Sequence, residues 1–322
     1  MTASPQINPK TDAPRTGPAP SSRTGPVRER RRLRRLTGRD IAVLSVLIGL
    51  PTLLSLLLVW GTTIASIGLS FTNYNGVTPP TWAGMRNYDI IVTIYEPFWR
   101  AVRNNVLWLG FLSLIATPLG LLLAVLLDRR IRFGRFYQSA FYMPVVLSLA
   151  IVGFIAQLVY SRDYGALNAM LGKTANPVDW LGDPSINIWA VLIAVGWRHA
   201  GYVMVLYLAG LKSVDPELKE AALIDGANER QTFFRVVFPV LRPVNIIVVV
   251  ITVIEALRAF DIVYAINSGR NGLELLSVLV TANIVGEASR IGFGSAIAVI
   301  LLLTSLGFVI AYLTQIIRED RR

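Results

Sequence analysis

The chain has 322 residues, 53% hydrophobic and only 16% charged, where a soluble domain carries about 25% charge; this composition excludes an ordinary soluble enzyme. With no cysteine and a single histidine, His199, disulfides and thiol chemistry are excluded, and a histidine-based metal centre is not expected. The net charge of +11 does not point to nucleic acid, because ten of the 31 basic residues precede position 41, where they set topology and meet anionic headgroups beside an apolar run.

Residues 1–27 are rich in Pro, Ser, Thr and Gly, and such a segment is expected to be disordered. Together with the run of arginines that follows, they make a polybasic tail over 1–40. A cleaved signal peptide fits poorly, since the charged region and the apolar run after it are both too long. Apolar runs long enough to cross the ~30 Å hydrocarbon core then recur, and they predict six membrane spans at 41–71, 104–127, 137–160, 187–212, 243–266 and 291–317. The expected fold class is an all-α polytopic membrane protein with six transmembrane helices in a permease domain over 41–317, followed by a short tail at 318–322. Pro51, Pro118 and Pro144 lie inside spans, where they kink helices. With the N-terminus inside, the cytoplasmic segments hold 22 Lys and Arg and the external ones 7. By the positive-inside rule, both termini are cytoplasmic and the protein sits in the plasma or inner membrane. The external segments are 72–103, 161–186 and 267–290, and the last includes an apolar stretch suited to a short helix at the outer surface.

Gly172-Lys173-Thr174 invites a nucleotide-binding reading. A P-loop requires a glycine five positions before the second one, and Leu167 stands there. No catalytic residue and no bound cofactor are expected in this chain. In the fourth span, Trp197, Arg198 and His199 fall at about the depth of Glu255, Arg258 and Asp261 in the fifth. Charges at a helix centre cost roughly 2.5–3.5 kcal/mol each on insertion scales, so they are expected to face the bundle interior. There, Glu255, Arg258 and Asp261, at i, i+3 and i+6, can pair along one helix face. Two readings stay open: an internal ion-pair network that fixes packing, or a polar, aromatic-edged pathway near the midplane suited to sugars.

The loop at 213–242 is the most informative extramembrane segment. Asp215 and Pro216 make a helix start, Glu217 suits the first turn, and Gly226 is placed to end the helix in a left-handed turn. A second amphipathic stretch is expected from Gln231 to Phe238, stopping at Pro239, with Pro243 opening the fifth span. Two readings stand: a solvated connection between spans, which accounts for the charges, or a docking element, since Ala221, Ala222 and Gly226 are small enough for another backbone to approach.

Glu220-Ala221-Ala222, three residues, Gly226, nine residues, then Val236-Val237-Phe238-Pro239 resembles the EAA loop of ABC-importer permeases. Val and Phe stand where that family usually has Ile and Leu. LSFTNYNG at 69–76, GMRNY at 84–88, YGALNAML at 164–171, WLGDP at 180–184, AFDIVYAI at 259–266 and GFGSAIAV at 292–299 resemble the carbohydrate-uptake branch of type I importers, the maltose-F and glycerol-phosphate-A type. After AFDIVYAI many relatives read TGGGP, where this chain reads Asn267-Ser268-Gly269-Arg270-Asn271-Gly272.

The resemblance implies a permease subunit that forms half of a carbohydrate pathway. It implies a second permease subunit as heterodimer partner, two copies of an ABC ATPase that binds the ATP and Mg²⁺, and an extracytoplasmic solute-binding protein. Glu220, Ala221, Ala222, Asp225 and Gly226 would dock the ATPase, and Pro239 would mark the exit of the loop. The competing reading from another class is a proton-coupled carrier using Glu255, Asp261 and His199, which has no use for such a loop.

Overall fold

The structure, a computed structural model, describes residues 37–129, 132–286 and 289–320. Nearly all of the expected polybasic tail, Arg130, and the final residues 321–322 lie outside the described residues. The chain divides into two units, 1–55 and 56–322. In the first, α1 (Gly38–Ser55) begins with Asp40 in its first turn, whose Oδ2 accepts the Thr37 N–H at 3.0 Å. Val46, Leu47, Ile48 and Leu50 are all exposed, a surface suited to hydrocarbon.

Among the described residues, the regular structure of the second unit is helical, apart from one isolated bridge between Thr72 and Trp82. A π-turn (Leu56–Gly61) leads into α2 (Thr62–Leu69). Next come α3 (Arg86–Thr93) and α4 (Glu96–Phe111), a second π-turn (Leu112–Ala116), and α5 (Thr117–Asp128). Helices α6 (Gly134–Val146), α7 (Leu149–Tyr160) and α8 (Ala166–Met170) precede the long α9 (Asn187–Ser213). The loop carries α10 (Pro216–Ile224), α11 (Glu229–Thr232), a third π-turn (Phe233–Val237) and α12 (Phe238–Val240). The chain closes with α13 (Arg242–Leu257), α14 (Asp261–Asn267), α15 (Leu276–Ile284) and α16 (Ile291–Asp320). The second and third π-turns each end two residues before a proline, Pro118 or Pro239. A missing proline N–H interrupts the regular ladder, and the wider turn absorbs the gap.

Among the described residues, four helical runs are long and apolar enough to cross a membrane: Gly38–Leu69, Glu96–Asp128, Asn187–Ser213 and Ile291–Arg318. Counting each of two bent helix pairs as one span brings the number to 6. Two of the expected spans are not continuous helices. The run at 137–160 bends by 102° because Leu147 and Ser148 are extended and the Ser148 hydroxyl caps a new helix through Ile151 N–H. The fifth span stops at Leu257 and restarts at Asp261. Before it, the helix starting under the Asn228–Gln231 capping box does not stop at Pro239 but runs to Val240, and the direction changes by 73° at Leu241. Hydropathy is blind to such bends, since apolar residues continue through them.

In hydrocarbon no hydrophobic force joins helices, so close packing and interhelical hydrogen bonds hold the bundle. Helix α9 is its axis, with 67% of its apolar stretch buried. A Cβ added at Gly120 of α5 would lie 2.7 Å from both the Ala200 carbonyl oxygen and Val203 Cβ, so α5 and α9 meet almost backbone to backbone. Buried asparagines tie the broken segments together. Asn105 Oδ1 accepts the Leu276 N–H at 3.0 Å while its amide donates to the Ala256 carbonyl at 3.3 Å. Asn104 donates to the carbonyls of Gly272 and Glu274 at 2.8 and 2.9 Å. Helix α15, expected at the outer surface, packs its buried Leu276 and Leu279 into a cluster with Phe98, Phe293 and Ile297.

Candidate functional site

The candidate residues fall into two places. The first is α10. Asp215 Oδ1 accepts the Glu217 N–H at 3.0 Å, and Pro216 takes the first helical position, where no N–H is needed. At the other end, the Ala227 N–H reaches back to the Ala222 carbonyl at 3.0 Å and the Gly226 N–H to Leu223 at 3.1 Å, with Gly226 at φ +83°. This is a Schellman ending. Among the described residues, none beyond its chain neighbours lies within 4 Å of a Cβ added at Gly226, so its glycine is required by backbone conformation, while the small-residue reading of the sequence concerned space. None of the nine residues of α10 is buried. Glu220, Ala221, Asp225 and Gly226 are exposed, Ala222 is half-buried, and Ile224 is 86% exposed beside Leu218 and Leu223. Pro239 is exposed on α12.

Among the described residues, two ion pairs link this loop to the end of α5. Lys219 Nζ lies 3.5 Å from Asp128 Oδ2, and Arg129 Nη2 lies 2.8 Å from Glu229 Oε2. Sequence reasoning did not pick out Asp128 and Arg129 as partners. Asp128 is the one acid in 128–135, a segment otherwise basic, and that was the available signal.

The second place is a polar cluster where α5, α9 and α13 meet. His199 is 1% exposed. Its Nδ1 is 2.8 Å from Glu255 Oε2, and because a carboxylate can only accept, this nitrogen donates. Its Nε2 faces the hydroxyls of Thr252 at 3.2 Å and Thr117 at 3.3 Å. Thr252 already donates to the Val248 carbonyl at 2.7 Å. Arg198 Nη1 stands 3.6 Å from Glu255 Oε1, while Arg198 Nε is buried without a hydrogen-bond partner. The pairing expected along one helix face is thus replaced by pairing between helices. Arg258 ends α13 and Asp261 begins α14, so the regular i, i+3 spacing is broken between them, and Glu255 turns to α9 instead. Thr117 and Thr252 were missed; Thr252 lies three residues before Glu255, on its face of α13.

Two clefts adjoin at this break and share Arg258, Phe260 and Asp261. The larger, about 660 Å³, is walled by α15 and α16 and includes the hydroxyls of Ser277, Thr281 and Ser305. The smaller, about 170 Å³, reaches Trp108, Arg198 and Glu255. Phe260 stacks on Tyr264 with ring centroids 4.9 Å apart. Trp197 is not part of this group: one residue along α9 from Arg198, it lines a separate apolar groove with Val152, Tyr160 and Ile193.

Residues 116–322 match the family described as binding-protein-dependent transport system inner membrane component. The chain is 35% identical over 275 residues to the xylose/arabinose import permease protein XacH of Haloferax volcanii, across 82% of this chain and 85% of that one. It is 33% identical over 234 residues to the trehalose/maltose transport system permease protein MalF of Thermococcus litoralis, across 72% and 79%. Its fold matches a chain in the crystal structure of a bacterial ABC transporter involved in the import of the acidic polysaccharide alginate. That match has a TM-score of 0.74 at 23% identity and covers 87% of this chain and 96% of that one.

Proposed function

Because the chain belongs to the family of binding-protein-dependent transport system inner membrane components, we propose that it is the permease subunit of an ATP-driven importer for a carbohydrate. It has six spans with both termini cytoplasmic. A second permease subunit completes the pathway, a solute-binding protein delivers the sugar from outside, and two copies of a separate ATPase bind and hydrolyse ATP. The observation that carries this reading is α10: a helix capped at both ends, with its apolar side chains in water. Such a surface is stabilised by a partner, and the resemblance of this loop to the EAA loop of ABC-importer permeases implies that the partner is the ATPase. Glu220, Ala221, Ala222, Asp225 and Gly226 form the docking element, and Pro239 lies where the loop turns toward α13.

The clefts at the break in the fifth span then line the substrate path. Arg258 and Asp261 present donors and acceptors, Phe260 presents a ring face for sugar C–H groups, and the His199–Glu255 pair holds the wall behind them. The test is ATPase stimulation in the assembled complex with its binding protein, reconstituted in vesicles and offered arabinose, xylose, trehalose, maltose and alginate oligosaccharides beside amino acids and peptides. Stimulation by a sugar is expected; stimulation by amino acids or peptides alone would remove the carbohydrate assignment. No observation favours the proton-coupled alternative, since His199 and Glu255 are tied to each other and Asp261 lies across a helix break. Gly226→Val separates the two readings. Transport collapses in the ATP-driven importer and survives in a proton-driven carrier.

A further inference from the structure

The two ion pairs at the end of α5 are arranged in a way that docking alone does not require. Neighbouring residues of opposite charge, Asp128 and Arg129, reach to opposite sides of the Gly226 turn, one to Lys219 on α10 and the other to Glu229 on α11. The turn is therefore held at both shoulders by one helix end. Arg129 suits that end, because a cation there complements the helix dipole. Asp128 does not: a carboxylate in the last turn opposes the dipole, so its placement calls for a partner, and Lys219 supplies one. Beside the two pairs, Val125, Leu211, Leu223, Phe233 and Val237 line a cleft of about 280 Å³, next to a buried apolar cluster that includes Ala124 of α5 and Val237 of the loop. The packing holds loop and bundle together, and the charged contacts set how the turn sits on the end of α5.

From this end, α5 runs 12 residues back to Thr117, about 18 Å of helix. Thr117 faces His199 Nε2 at 3.3 Å, and His199 holds Glu255 on the wall of the smaller cleft. Along this length α5 lies against α9, with Gly120 admitting the α9 backbone. Rigid elements in contact can carry displacement between distant sites.

We propose that Asp128–Lys219 and Arg129–Glu229 form a double clasp that fixes the loop to α5, making α5 the rod that carries movement of α10 to the polar cluster and its cleft. The four residues are positioning residues, and the inference rests on the reading of α10 as the ATPase-docking helix. Arg129–Glu229 is exposed and Asp128–Lys219 is half-buried at the surface. Surface ion pairs contribute little to stability, so reversing them leaves the fold intact and tests geometry rather than folding.

The experiment uses the cysteine-free chain with one reporter, Leu149→Cys, whose position lines the smaller cleft. It is purified in the complete complex with its ATPase and treated with a maleimide, with and without Mg-ATP. With the clasp intact, Mg-ATP changes the labelling rate. Asp128→Lys alone, or Glu229→Arg alone, abolishes that change while the ATPase stays in the complex and hydrolyses ATP. The paired swaps, Asp128→Lys with Lys219→Asp and Glu229→Arg with Arg129→Glu, restore it. The clasp is overturned if the single reversals leave the ATP-dependent change untouched, if the swaps fail to restore it, or if labelling with the clasp intact ignores ATP. Loss of the ATPase from the single reversals would assign these pairs to docking itself and overturn the proposal too. Absence of the ATPase from a complex with native charges would remove the docking reading together with the clasp, whereas a retained ATPase with unaltered labelling removes the clasp alone.

Discussion

The loop around α10 and the polar cluster around His199 use the same chemistry, carboxylates paired with cations, in opposite settings. At the loop, Arg129 and Glu229 meet at 2.8 Å with most of both side chains in water. In the cluster, Glu255 and His199 meet at the same 2.8 Å, but the imidazole is 1% exposed and its second nitrogen is also engaged. Water screens the first pair, so it can break and re-form at little cost. Burial makes the second obligatory, because removing one partner strands the other. The contrast separates a fastening that can yield from one that holds the bundle together.

The strongest way to break this contrast is Glu255→Leu, which leaves both Arg198 and His199 without the carboxylate they share. A loss of about 3 kcal/mol is expected, at the low end for a broken buried pair because Glu255 is partly open to the cleft. It reads as a lowered unfolding midpoint of the detergent-solubilised complex. A loss no greater than that of Glu229→Gln would erase the distinction between the two regions. Next is Gly226→Ala, which forces an L-residue to φ +83° at roughly 1–2 kcal/mol. The penalty is local, so faster amide exchange across α10 is expected without a shift in the global midpoint. Asp215→Ala removes the cap at the other end of the same helix, worth about 1 kcal/mol, and frays its first turn in the same measurement. The smallest effect belongs to Lys219→Gln, under about 1 kcal/mol for a half-buried surface pair at 3.5 Å, with no change in midpoint and a connection already weakened in wild type by added salt.

The sequence made the loop helix readable because its punctuation is local: an Asp-Pro start and a glycine that must adopt positive φ. Helices α9 and α16 begin where the hydropathy placed their starts, at 187 and 291. The bend at 147–148 and the helix break at 258–260 stayed hidden: a capping serine sits at the first, and at the second hydrogen bonds from Asn105 to Ala256 and from Ser277 to Ala259 come from partners remote in the chain. For the same reason the partners of Glu255 were misread. Three- and four-residue spacing describes neighbours on one helix, and it says nothing of the α9 face that Glu255 meets. Asp128 and Lys219 lie 91 positions apart, a pairing that only the tertiary fold brings about.

The central claim is that α10 faces the cytoplasm and is gripped there by a separate ATPase. Because the chain has no native cysteine, Ala221→Cys places a single thiol on that helix, to be probed in right-side-out and inside-out membrane vesicles containing the whole complex. The account predicts a crosslink from this thiol to the ATPase, and labelling by an impermeant maleimide in inside-out vesicles once the ATPase is stripped away. Labelling in right-side-out vesicles, or a thiol that meets no ATPase in either orientation, would contradict it.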